Sequence, residues 1–107
     1  MKLNYNIDAA LELTLDVTLN KRVIRVLEPT VKLTKRLIET QELLENQDLT
    51  ALEKIDYKVD LLIDMLNNNK DKIKITKRDI EKLSITIIDH LLMQISVMRA
   101  IANKNPN

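Results

Sequence analysis

Asp56, Asp60 and Asp64 recur at every fourth residue, so on a helix their carboxylates form a row along one face. Such a row offers cation binding or acid–base work. Calcium loops, however, gather carboxylates in a turn built around Gly, and this chain contains no Gly. With Lys54 and Lys58 nearby, the row reads as a solvated helix face. His90 is the sole histidine and Cys is absent, so a zinc site would need three carboxylates. No metal or cofactor is expected. His90 offers a proton-sensitive contact, yet no Ser or Cys nucleophile motif accompanies it, and it reads as a boundary residue. Lys70, Lys72, Lys74, Lys77 and Arg78 form a basic cluster with the charge to meet phosphates. Two Tyr are the only aromatics, the net charge is +1, and Asp71 and Asp79 offset the cluster. Nucleic-acid contact through these five residues, by a small DNA-binding or inhibitory regulator, is therefore the secondary expectation.

The missing Gly excludes more than calcium loops. Walker loops, dinucleotide-binding turns and nucleophile elbows all use Gly for positive φ or close backbone approach. The missing Cys removes disulfides and thiol catalysis together. No catalytic residue is expected, and the protein reads as non-enzymatic.

What must be positioned, then, is a set of apolar faces. Apolar residues make up 45% of the 107-residue chain and aromatics 2%, which predicts an aliphatic core in one domain. Residues 48–69 carry two basic and five acidic side chains, whereas residues 70–107 carry eight and four. No apolar run approaches the roughly 18 residues of a membrane span, and the opening residues do not resemble a leader, so a cytoplasmic protein is expected.

From Tyr5 to Leu19 every odd position is apolar, and nearly every even one is polar. As a helix, Leu11 and Leu13 would sit roughly 200° apart; as a strand all the odd positions share a face. A β element over 2–17 is predicted, as a hairpin of Lys2–Ile7 and Leu11–Val17 around Asp8-Ala9-Ala10 or as a single strand. From Thr18, read as an N-cap, Val23, Val26 and Leu27 stand at helical spacing, which predicts a broken helix over 19–46 interrupted at Glu28-Pro29. Its second part carries the stripe Leu33, Leu37, Thr40 and Leu44. After the linker Glu45–Leu49, Thr50 and Glu53 form a capping box for a helix over 50–67, with Leu52, Ile55, Val59, Leu62 and Leu66 inward. Asn67-Asn68-Asn69 suits a left-handed helix end where Gly is unavailable. Thr76 and Asp79 open a helix, or a helix pair divided at Ser84, over 76–102, and 103–107 should fray. Leu52, Ile55, Val59, Leu62, Ile80, Leu83, Ile87 and Leu91 are expected to form one core. The fold class is mainly α: about four helices with an N-terminal β element.

In order, the chain presents an amphipathic β element, a broken Lys/Glu-rich helix, an Asn-bearing turn (Asn67–Asn69), a Thr-capped short helix of the T-x-x-D-I type (Thr76, Asp79, Ile80) and a final helix rich in Leu, Ile and Met. This layout resembles the tail assembly chaperones of siphophages and prophages. It departs from them in a longer, more basic turn and in a hairpin without Gly. The resemblance implies a chaperone that holds the long helical tape-measure protein soluble and recruits tail-tube subunits. It brings no catalytic residues. Leu91, Met93, Ile95 and Met98 on the last helix, with Leu11 and Leu13, are the expected partner-contact residues, and self-association stays open.

Overall fold

A computed structural model describes residues 2–3 and 12–104, with side chains described as far as residue 98. Its elements are strands β1 (Thr14–Leu19) and β2 (Arg22–Leu27), then helices α1 (Val31–Leu44), α2 (Ala51–Asn67), α3 (Lys77–Glu81) and α4 (Ile85–Lys104). The fold is mainly α, with an N-terminal antiparallel hairpin.

The alternation does its predicted work in β1, where Leu13, Leu15, Val17 and Leu19 all pack against the core. The hairpin, however, uses a later turn. Leu19 pairs with Arg22 across Asn20-Lys21, which take φ of 52° and 63°. Both residues are left-handed, as a type I′ hairpin turn requires. The broken helix expected from residue 19 is corrected here: Arg22–Leu27 is a strand, and Thr18 caps nothing. Val23, Ile24 and Val26 are β-branched, and in an extended chain Ile24 and Val26 fall together on the buried face at 1% and 0% exposure. The expected turn at Asp8–Ala10 and most of its first arm lie outside the described residues. Lys2 and Leu3, which are described, are exposed and carry no strand.

Lys21 has no special tolerance for positive φ, and a left-handed L-residue costs about 1–2 kcal/mol. Lys21→Gly is expected to stabilise the protein by about 1 kcal/mol, raising the melting midpoint by about 4–8 °C for a domain of this size. A thermal melt monitored by circular dichroism reads this directly.

The break at Glu28-Pro29 separates strand from helix. α1 starts at Thr30, whose hydroxyl accepts the Leu33 N–H. The predicted capping box of Thr50 with Glu53 forms, and Thr76, expected to open a helix with Asp79, makes a second one. The Thr76 N–H and hydroxyl both donate to the Asp79 carboxylate, which holds its pKa below the ordinary value. Ser84 does divide the last helical region: its hydroxyl accepts the Ile87 N–H at the start of α4.

That division corrects the expected core. Ile80 is buried and Leu83 half-buried, but the helix restarts after Ser84, so the stripe cannot be extended through Ile87 in the same phase. Ile88 is buried and Ile87 is 47% exposed. Leu52, in the first turn of α2, also stands outside the core at 75% exposure. Val59, Leu62 and Leu66 are buried as expected, joined by Leu61 and Met65.

Asn67–Asn69 end α2 without left-handed geometry; the positive φ falls at Lys72 (56°) instead. Their side chains act as surrogate backbone. Asn67 both donates to the Ile75 carbonyl and accepts its N–H, while Asn69 does the same with Ile73. Residues 68–70 then lie along β2, with Leu27 N–H donating to Asn68 and Lys70 N–H to Arg25, each at 2.9 Å. The short segment acts as a third strand on that edge.

Candidate functional site

α2 packs against both α1 and α4, whose own mutual contact is slight. The space between those two helices is an open furrow of about 290 Å³. α1 contributes Leu37, Thr40, Gln41 and Leu44 to it, Leu61 of α2 lies at its floor, and α4 contributes Leu92, Met93 and Ser96. At one end stands the pair of Lys58 and Asp89, 2.9 Å apart. Leu37 and Ser96 also line a small continuation of the furrow toward Pro29 and Thr34.

The furrow follows from helix periodicity. Leu37, Thr40 and Leu44 share one face of α1, and Leu92 and Ser96 one face of α4. Met93 of the lining is 55% exposed, and on the same helices Ile38 of α1 and Val97 of α4 are exposed apolar side chains at 50% and 39%. No charged residue occurs between Asp89 and Met98, so the part of α4 along the furrow is uncharged on every side. A helix of this kind is ordinarily covered on more than one face.

A larger hollow of about 660 Å³ lies between α1 and the end of α2. Its walls carry mostly charged and amide side chains, with Arg36 paired to Asp64. Leu33 is its single apolar side chain, whereas the furrow has Leu37, Leu44, Leu61, Leu92 and Met93, so the smaller furrow is the better candidate.

Among the residues expected to contact a partner, Met93 lies on the furrow. Ile95 and Met98 are corrected: at 1% and 2% exposure they belong to the core. Leu91 and Leu13 are half-buried and pack against that core, and Leu11 lies outside the described residues. Ile38, Val97, Leu37 and Leu44 were missed as site residues. The stripe Leu33, Leu37, Thr40 and Leu44 is visible in the sequence, but there it marks a helix and not a site.

Asp56 and Asp60 are exposed and Asp64 is paired with Arg36, so the acidic row is a surface feature. Among the described residues no group of side chains is arranged to hold a metal ion. His90 is exposed. The basic cluster is exposed throughout; Lys70 pairs with Glu12 at 2.8 Å. Asp71 chelates Arg25, which lowers the carboxylate pKa and raises that of the guanidinium. No described helix is long and apolar enough to cross a membrane. Comparisons with protein-family models, with characterised proteins and with solved structures return no match.

Proposed function

We propose that the protein is a non-enzymatic binding module that holds an amphipathic helix of a partner in the furrow between α1 and α4. The observation that carries this is the furrow itself, a mainly apolar trough closed at one end by the Lys58–Asp89 pair and flanked by exposed apolar side chains. A docked helix would meet Leu37, Leu44, Leu61 and Leu92 below and Ile38, Met93 and Val97 at its sides. Met93 adds a flexible, polarizable contact that adapts to more than one partner sequence.

A long helical client is what the resemblance to tail assembly chaperones calls for. On this reading the client is a tape-measure protein, held soluble in the bacterial cytoplasm while tail-tube subunits are recruited. The test is co-expression with the tape-measure protein of the same phage. Wild-type chain is expected to raise its soluble fraction and to co-purify with it. Met93→Glu with Val97→Glu places two carboxylates at the lips, and desolvating them should weaken capture at least about tenfold, or about 1.4 kcal/mol. The fold should survive, since both side chains are exposed, and the melt of the variant checks this. Undiminished capture by a folded variant would rule the furrow out. Submicromolar binding to duplex DNA at about 150 mM salt, where exposed charges are screened beyond roughly 8 Å, with no tape-measure rescue, would favour the regulator acting through Lys70–Arg78.

A further inference from the structure

The fold gathers cations from distant parts of the chain. The hairpin tip meets α3, where Asn20 Nδ2 donates to Asp79 Oδ1 at 3.4 Å. Arg22 lies near enough to Asp79 to favour its charged form, as does Lys82. Lys21 and Arg22 therefore join Lys77, Arg78 and Lys82, all exposed, in one patch. None of these five forms an ion pair among the described residues. Asp79, inside the patch, already accepts from the Thr76 N–H and hydroxyl.

The opposite charge stands on the outer face of α2. Asp56 and Asp60 are exposed, one helical turn apart, and also without an ion pair among the described residues. Glu53 flanks them, and Leu52 projects beside them at 75% exposure. The net charge of +1 means that two copies of the chain have almost no long-range repulsion to overcome.

We propose that the basic patch of one molecule docks the acidic outer face of α2 from a second copy of this chain. The two surfaces differ, so the contact is head-to-tail. The pair keeps one unused patch on one molecule and one unused acidic face on the other, so association grows into chains or closes as a ring. The contact is made by exposed charges and is therefore weak and salt-sensitive. Nucleic acid fits the patch less well. The outer face of the hairpin presents Thr14, Asp16 and Thr18, the cation opposite Asp16 there, Arg25, is already held by Asp71, and α3 has only five residues to offer a groove. This inference is independent of the furrow, which involves neither surface.

The experiment is sedimentation velocity on the full chain over a range of concentrations. At about 0.01 M salt, with a screening length of about 30 Å, the sedimentation coefficient should climb with concentration. At about 1 M salt, with about 3 Å, the association constant should fall at least about tenfold. Lys77→Gln with Arg78→Gln, and separately Asp56→Asn with Asp60→Asn, should each leave a monomer at low salt. An equimolar mixture of the two variants retains one complementary pair of surfaces, so it should stop at a heterodimer. All four positions are exposed, and circular dichroism confirms that the variants fold. A wild-type chain that stays monomeric at low salt overturns the proposal, as does association indifferent to salt or to both variants. So does capture of a polyglutamate peptide or duplex DNA by the patch without self-association.

Discussion

Leu62→Asp is expected to abolish cooperative unfolding. Leu62 is 0% exposed and packs in one cluster with Val59, Leu66, Ile80, Ile88 and the strand residues Ile24 and Val26. Removing a buried Leu forfeits about 1.5–3 kcal/mol of transfer free energy. The carboxylate then needs either desolvation or protonation without a partner, at several kcal/mol more. The total rivals the roughly 5–15 kcal/mol that holds a whole domain together. The variant should show no sigmoidal melt and much reduced helical circular dichroism. Leu62→Ala should keep a cooperative melt at a cost of about 2–5 kcal/mol. Leu52→Asp is the control: the side chain is 75% exposed, so the change should stay within about 0.5 kcal/mol. Equal melts for Leu52→Asp and Leu62→Asp would mean that the buried face of α2 is wrongly assigned.

The features legible in the sequence are those decided within a few residues. The capping boxes at Thr50–Glu53 and Thr76–Asp79 and the Ser84 cap are short-range contacts, and all three form. The alternation that ends at Leu19 set the inward face of β1 correctly. β2 was not legible, because Val23, Val26 and Leu27 also fit a helical spacing. What settles Arg22–Leu27 as a strand is hydrogen bonding to β1 on one side and to residues 68–70 on the other, the latter about 40 positions away. Ile87 and Ile88 could not be told apart without knowing that Ser84 resets the helical phase. The furrow was legible only as two separate stripes. That α1 and α4 stand apart over Leu61, leaving Leu37 and Leu44 facing a gap, depends on how both helices seat on α2. Lys77 and Arg78 were legible as charge, but their union with Lys21 and Arg22 needed the hairpin turn at Asn20-Lys21.

Asn69 carries the second large effect. It is 7% exposed, and its amide closes a loop by itself. Nδ2 donates to the Leu66 and Ile73 carbonyls at 2.9 and 2.7 Å, and Oδ1 accepts the Ile73 N–H at 2.8 Å. The same residue bridges to Val26, between the two hydrogen bonds that fasten residues 68–70 to β2. Asn69→Ala leaves three backbone groups without their partner. At about 1–3 kcal/mol for each group that water cannot reach, a net loss of about 3 kcal/mol is expected. Asn69→Asp keeps the acceptor for Ile73 but turns a carboxylate toward two carbonyls, so at neutral pH it should cost at least as much. Those carbonyls raise the folded-state pKa of the new Asp above its unfolded value. The protonated form is then favoured in the native state, and the deficit should shrink below about pH 4, near the unfolded pKa, and grow as pH rises. Asn68→Ala supplies the comparison, because its bonds to the Leu27 and Glu28 carbonyls are longer, at 3.5 and 3.2 Å. A loss of about 1 kcal/mol is expected there. Urea denaturation gives the stabilities, and amide exchange at Leu27 and Lys70 reports whether the third strand detaches. Asn69→Ala should speed exchange at both amides well before global unfolding. A variant within about 0.5 kcal/mol of wild type, with both amides still protected, would show that the β2 pairing holds this segment without the Asn69 side chain.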